Sequence, residues 1–293
     1  MTSFVTLCYK SNRRSLKIEV FRDVQGVKRM KPVYAHHEAS IKNLVNFFRH
    51  ENNVEAVILG GSIAHGYATE VSDVDIMIVI PDAEYRERGR SNQLLFFNRE
   101  LCTYVDGYVD GKYITEGYIQ QVIEKGNEPT RYAFKDSEVL FSKSDELEKA
   151  IRRAAQFNMT TKEKNGQRFY AQLFTWKWYY AEGVKHENEL LKMTALSNFT
   201  LYACRAILNH NEMLYPYYKW LFAEVEKAPE KPVRFIPKIQ ELLKTKNADL
   251  LEEITSDIKS MKDWGVADWE WSRYFLDDVE TVWMRHEPFI SDI

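Results

Sequence analysis

The chain has 293 residues, a length that two domains would fill comfortably. A hydrophobic fraction of 45% and an aromatic fraction of 14% exclude a disordered polypeptide, and a net charge of only −3 argues against a nucleic acid as the main partner. No apolar run approaches the ~18 residues that suggest a membrane span. Cys8, Cys102 and Cys204 are far apart, as is typical of a reducing compartment. We therefore expect a cytoplasmic protein with neither a membrane nor a nucleic-acid partner.

The first half of the chain alternates helical and extended patterns. Residues 1–32 form a basic lead-in to which we assign no structure. Apolar residues at helical spacing predict a helix over 35–51, and β-branched apolar runs predict strands over 54–59 and 74–80. Residues 91–100 are interpreted as a second helix. Together these patterns predict an α+β domain with a small mixed sheet and flanking helices.

After this point the chain carries short strands and then long helices. Strand-like stretches surround Asp106 and Asp110, and a further strand is predicted over 138–141. Beyond residue 144, apolar residues recur every three or four positions. Helices are predicted over 166–180, 187–209, 236–243, 248–261 and 269–285. We therefore predict a catalytic domain over 1–143 and an all-α, acceptor-binding domain over 144–293.

The chemistry is concentrated between the first two predicted strands. The first strand ends in Gly60-Gly61-Ser62, where bare backbone N–H groups and one hydroxyl can approach phosphate oxygens closely. Asp73 and Asp75 stand two residues apart where the next strand begins, so their carboxylates share one face. Adjacent carboxylates repel unless a cation lies between them, and Mg²⁺ is the hard, oxygen-seeking ion suited to that place. A phosphate cradle beside a metal pair indicates phosphoryl or nucleotidyl transfer.

This arrangement resembles the signature of the polymerase β-type nucleotidyltransferase superfamily. The specific match covers residues 54–80, and the two-domain organisation is similar to that of the aminoglycoside and lincosamide nucleotidyltransferases. The resemblance implies a third carboxylate on a neighbouring strand. Asp106 and Asp110 are the candidates, and each precedes a glycine, so either could instead lie in a tight turn. Asp110 is preferred because the strand pattern continues after it through 112–114.

The resemblance also implies a mechanism with two Mg²⁺ ions and a nucleoside triphosphate, with ATP the expected one. Asp73, Asp75 and Asp110 would hold the metals, and Gly60, Gly61 and Ser62 would grip the phosphates. Lys219, in the helical domain, is the candidate for a cationic contact to the β- or γ-phosphate. His65, in the loop after the glycines, could contact phosphate, but it is interpreted as an exposed bystander.

The acceptor is less well defined by the sequence. Residues 247–293 carry twelve Asp or Glu against four Lys or Arg, which favours a cationic small molecule with a hydroxyl, such as an aminoglycoside-like antibiotic. Two alternatives stay open: a protein-modifying, adenylylating transferase, and a nucleotide-binding module whose active site has decayed.

Overall fold

The computed structural model describes residues 34–286, so the lead-in over 1–32 and Cys8 lie outside the described residues. Contacts divide the described chain into two compact units. One comprises residues 34–115 and 137–145, and the other comprises residues 116–136 and 146–286. Residues 116–136 thus group with the helical unit, and the chain then returns to the first unit for one more strand. The two units are therefore not separated by a single boundary after residue 143.

The first unit is built on one mixed sheet. Its strands within the described residues are β1 (Ala56–Leu59), β2 (Val74–Val79), β3 (Leu95–Asn98), β4 (Val109–Ile114) and β5 (Glu138–Ser142). They lie in the order β3-β4-β2-β1-β5. The β2–β4 pair is parallel, whereas the β1–β2, β1–β5 and β3–β4 pairs are antiparallel. The predicted mixed sheet is confirmed.

One face of this sheet forms the core of the first unit. Helix α1 (Ala35–Arg49) packs Leu44 and Phe48 against residues that alternate along β2, among them Ile76 and Ile78. This alternation turns the odd-numbered positions of β2, including Asp75, to the opposite face. The unit also contains two shorter helices, α2 (Gly61–His65) and α3 (Asp82–Arg90).

The helix predicted over 91–100 is wrong. The helix in this region is α3, which ends at Arg90, and Asn92 then adopts a left-handed φ of 56°. The following apolar run forms β3, in which Leu95 pairs with Lys112 and Phe97 pairs with Asp110. A short apolar run is compatible with both helical and strand spacing. Here the pairing with β4, which is distant in sequence, makes the run a strand.

The second unit is helical, as predicted. Its core surrounds Phe199, Ile207 and Ile254, which are fully buried. The predicted helix over 269–285 is interrupted: a π-helical turn (Leu276–Glu280) and a 3-10 turn (Val282–Met284) follow its first turn. The α-helices within the described residues are α4 (Glu116–Lys125), α5 (Glu128–Phe134), α6 (Leu147–Ala154), α7 (Lys162–Lys185), α8 (Glu189–His210), α9 (Leu221–Glu226), α10 (Phe235–Thr245), α11 (Ala248–Met261) and α12 (Trp271–Phe275). None of these helices is long and apolar enough to cross a bilayer.

Candidate metal centre and phosphate cradle

Three aspartates meet on the face of the sheet opposite α1. Asp73 immediately precedes β2, and Asp75 lies within it. The parallel pairing of β2 with β4 sets Asp75 directly beside Asp110. One carboxylate oxygen from each of the three residues lies within 4.8 Å of the others. Asp73 and Asp75 are half-buried, and Asp110 is exposed.

This donor set fits a hard divalent cation. Three carboxylates so close together repel one another in the absence of a counter-charge, and carboxylate oxygens are the ligands that Mg²⁺ takes in protein sites. Asp106 is not part of the group, because it lies in the turn before β4 with a φ of 59°. The structure therefore brings together Asp73, Asp75 and Asp110, the three residues that we predicted to bind metal.

The glycine turn after β1 lies directly against this group. The Gly60 N–H donates to the Asp75 carbonyl oxygen at 2.9 Å. Gly61 has a φ of +60°, and a Cβ placed on it would stand 1.7 Å from Asp75 Oδ2. No residue with a side chain could replace it without moving that carboxylate. The close approach at Gly61, the first residue of α2, is thus to the Asp75 carboxylate, and the approach of Gly60 and Gly61 to phosphate oxygens stays a prediction.

Ser62 adds a hydroxyl at the same place. Its side chain is 5% exposed, and its Oγ has no hydrogen-bond partner among the described residues. A buried hydroxyl without a partner is costly unless a ligand satisfies it, so it is suited to a phosphate oxygen. His65 is 7% exposed, which makes its interpretation as an exposed bystander wrong.

The backbone just before Asp73 is held by two side chains that sequence analysis did not identify. The Ser72 carbonyl accepts hydrogen bonds from His37 Nε2 at 2.9 Å and from the Tyr104 hydroxyl at 2.6 Å. Burial lowers the pKa of His37, and its Nδ1 has no partner within the described residues, so the neutral imidazole carries its proton on Nε2. His37 and Tyr104 therefore fix the backbone at the start of the candidate metal-binding segment.

Tyr108 is a third residue that sequence analysis missed. The negative charge of Asp73 raises the pKa of the Tyr108 hydroxyl. The Tyr108 ring centroid lies 5.3 Å from that of Phe97 on β3. The one available signal was the i, i+2 spacing of Tyr108 and Asp110, which indicates a shared face once the strand is known.

Two lysines, Lys112 and Lys219, are candidate cations for phosphate. Lys112 follows Asp110 by two residues on β4, so it lies on the same face of the sheet, next to Met77 on β2. Although the side chain keeps exposed surface, desolvation lowers the pKa of Lys112, and the Asp75 carboxylate acts in the opposite direction. Lys219 belongs to the helical unit, where its Nζ lies 5.1 Å from the ring centroid of Trp220. Its contact to phosphate stays a prediction.

Comparison with known proteins gives the class of this fold. Residues 41–153 match the family model described as a nucleotidyltransferase domain, and that segment contains the glycine turn and all three aspartates. This segment, with its candidate acidic triad, is therefore similar to nucleotidyltransferase domains of the polymerase β type. The match supports no particular branch of the superfamily.

Among solved structures, a nucleotidyltransferase-like protein from Exiguobacterium sibiricum 255-15 is similar. It shares 10% identity over 86% of this chain and 82% of its own, with a TM-score of 0.44. A likeness at this level carries no argument about the reaction or the substrate. No curated protein sequence matches the chain significantly.

Proposed function

We propose that the protein is a Mg²⁺-dependent nucleotidyltransferase, which moves a nucleoside monophosphate from a nucleoside triphosphate to a hydroxyl of a small-molecule acceptor. One observation carries the proposal: three carboxylates lie within 4.8 Å of one another inside a nucleotidyltransferase domain. Next to them are Gly61, where a side chain would collide with Asp75, and the buried Ser62 hydroxyl, which has no hydrogen-bond partner among the described residues.

The residues of this site divide into two groups by what they would hold. Asp73, Asp75 and Asp110 would bind the metal, and bound Mg²⁺ would neutralise negative charge on the triphosphate and on the attacking and leaving oxygens. Gly61 and Ser62 would contact phosphate oxygens. Gly61 has no side chain to block its backbone, and the Ser62 hydroxyl has no hydrogen-bond partner among the described residues. Lys219 would add a cation to the β- or γ-phosphate.

The reaction is a displacement at the α-phosphorus. The acceptor oxygen forms a bond to that phosphorus, the bond to the bridging oxygen breaks, and pyrophosphate leaves with the electron pair. The hydroxyl proton passes to a base, for which Asp110 is the candidate because it is the exposed member of the triad.

ATP is the triphosphate that we propose, and the acceptor is a small molecule with a hydroxyl. The idea of an aminoglycoside-like acceptor rests on the acidic composition of residues 247–293 and on the resemblance in organisation. Neither feature is a contact with an acceptor, so an antibiotic acceptor is suggested by analogy alone.

Pyrophosphate release tests the proposal directly. The full chain would be incubated with Mg²⁺, each of the four nucleoside triphosphates and a panel of hydroxyl-bearing acceptors. We expect acceptor-dependent release that EDTA abolishes and that Asp75→Asn lowers by at least about 100-fold. Asp106→Asn is the matched control, because Asp106 lies in the turn outside the triad and Asn tolerates its left-handed φ. Equal activity of Asp75→Asn and wild type would refute the proposal.

A further inference from the structure

The strand order of the sheet fixes the order in which the residues of the site follow one another across its face. Across the strands β1, β2, β4 and β3, one passes in turn the glycine turn after β1, Asp75 on β2, Asp110 on β4 and Phe97 on β3. Phe97 pairs with Asp110, so both side chains project from the same face. The phosphate cradle and β3 thus lie on opposite sides of the aspartates.

This order matters because in-line displacement sets the attacking oxygen opposite the leaving pyrophosphate. If the cradle holds the leaving phosphates, the acceptor must approach from the other side of the triad. That side is formed by Asp110 and then by β3. The position of an acceptor site therefore follows from the strand order once the cradle is assigned.

Three side chains there form what we call the acceptor shelf: Phe97, Arg99 and Tyr108. The Phe97 and Tyr108 ring centroids are 5.3 Å apart with the planes inclined at 31°. The Arg99 guanidinium lies 5.6 Å from the centroid of Phe97 and 5.9 Å from that of Tyr108. Phe97 is 60% exposed, although it is a large apolar side chain. Phe97 also pairs with Asp110, so the shelf adjoins the triad.

The charge of the shelf selects among acceptors. Arg99 is exposed and forms no ion pair with any residue of the described range. An unpaired guanidinium over aromatic rings suits an anionic group, with phosphate the best match to its fork of donors. It disfavours a cationic acceptor such as an aminoglycoside. The shelf itself contributes a single cation, which is too few for a polynucleotide backbone, because such a backbone needs several phosphate contacts.

We propose that the acceptor shelf binds a nucleotide as the hydroxyl-bearing acceptor. Its base stacks on Phe97 and Tyr108, its phosphate pairs with Arg99, and a ribose hydroxyl faces Asp110. This inference rests on the proposed function, since it takes the triphosphate to occupy the cradle. The transfer joins the ribose oxygen to the α-phosphorus of the triphosphate and releases pyrophosphate, with the proton passing to a base.

Equilibrium binding tests this inference without turnover. The full chain would be saturated with Mg²⁺ and α,β-methylene-ATP, whose α–β linkage blocks the transfer, and then titrated calorimetrically. The titrants are AMP, GMP, CMP and UMP, the four nucleosides, ribose 5-phosphate and kanamycin. We expect at least one nucleoside monophosphate to bind about tenfold more tightly than its nucleoside and than ribose 5-phosphate.

Two variants and two matched controls locate the site. Phe97→Ala and Arg99→Gln should each weaken binding of that monophosphate about tenfold. Leu95→Ala is the control for Phe97, because Leu95 is an exposed apolar residue of the same strand and face, paired with Lys112. Arg90→Gln is the control for Arg99, because Arg90 is also exposed but pairs with Glu87 at the end of α3. Both controls should bind like wild type.

The outcomes separate this inference from the proposed function. All four variants should keep the affinity for α,β-methylene-ATP, whereas Asp75→Asn should lose it. If wild type binds the Mg²⁺-nucleotide but no monophosphate, or if Phe97→Ala and Arg99→Gln change nothing, the shelf is not the acceptor site. Tighter binding of kanamycin than of any monophosphate would also overturn the inference. Failure to bind the Mg²⁺-nucleotide would instead refute the proposed function.

Discussion

The Cα of Gly61 lies directly against the carboxylate of Asp75, so that a methyl group on Gly61 would stand 1.7 Å from Oδ2. The Gly60 N–H also donates to the Asp75 carbonyl, so the turn after β1 and the metal-binding strand are joined at both backbone and side chain. The glycine turn and Asp75 are thus parts of one structure, and a change in the turn should alter the candidate metal site.

Gly61→Ala should therefore strongly reduce activity. The new Cβ must displace the Asp75 carboxylate, and a displacement of about 1 Å at a reacting site costs on the order of 100-fold in rate. Pyrophosphate release measures the loss, and circular dichroism checks that the fold persists. The control is Gly89→Ala in α3, where the nearest atom to an added Cβ is 3.8 Å away. That variant should keep full activity and gain up to about 1 kcal/mol of stability. Full activity of Gly61→Ala would show that Asp75 is not needed where it lies.

Charge repulsion within the triad predicts a stability effect of metal. With Mg²⁺ and α,β-methylene-ATP at about 100 times their dissociation constant, wild type should gain about 2.7 kcal/mol. This corresponds to a rise in the melting temperature of roughly 5–10 °C for a chain of this size. Asp73→Asn and Asp110→Asn should lose most of the rise, whereas Asp106→Asn should keep it. An equal rise in all four proteins would mean that the ion binds elsewhere.

Tyr104→Phe tests the hydrogen bonds that hold Ser72. It removes the 2.6 Å bond to the Ser72 carbonyl and should cost about 1 kcal/mol in the free energy of unfolding. Because Ser72 adjoins Asp73, we also expect a higher Mg²⁺ concentration for half-maximal activity. Tyr85→Phe is the control, since the Tyr85 hydroxyl makes no hydrogen bond within the described residues. Destabilisation with an unchanged Mg²⁺ requirement would reduce Tyr104 to a purely structural role.

Acid should destabilise the protein through His37. Burial holds the pKa of His37 below 6.5, with a smaller contribution from His36, while the Ser72 hydrogen bond and Asp73 act in the opposite direction. The unfolded chain then takes up a proton near pH 6.5 and the folded chain only at lower pH, so unfolding becomes easier as the pH falls below 6.5. A protonated Nδ1 would also lack an acceptor.

His37→Gln keeps an Nε2 donor for Ser72 but cannot titrate, so its unfolding free energy should fall less between pH 7 and pH 5.5 than that of wild type. Denaturant unfolding at a series of pH values measures the slope. His50→Gln, at the exposed end of α1, should follow wild type. If His37→Gln kept the wild-type slope, some other group would be responsible.

The parts of the site that the sequence could predict are those set by local geometry. Asp73 and Asp75 share a face by the period of a strand, and the continuation of the strand pattern after Asp110 distinguished it from Asp106. The division into an α+β part and a helical part followed from periodicity, and it is confirmed. The functions assigned to the individual residues remain predictions.

The rest of the site depends on contacts between distant segments. His37 lies 35 positions from Ser72, and Tyr104 lies 32 positions away, so no local pattern could identify the hydrogen bonds to Ser72. Phe97 fell within a run that fits helix and strand alike, and only its pairing with Asp110 brings it beside the triad. The buried position of His65 likewise depends on packing, not on its loop-like sequence.

The position of a bound metal tests the central claim most directly. Crystals grown with Mn²⁺ and α,β-methylene-ATP would be measured at a wavelength where manganese scatters anomalously. We predict an anomalous peak within about 2.5 Å of carboxylate oxygens of Asp73 and Asp75, with Asp110 beside the same site. A nucleotide bound with its manganese away from these aspartates, or no manganese at saturating concentrations, would contradict the account.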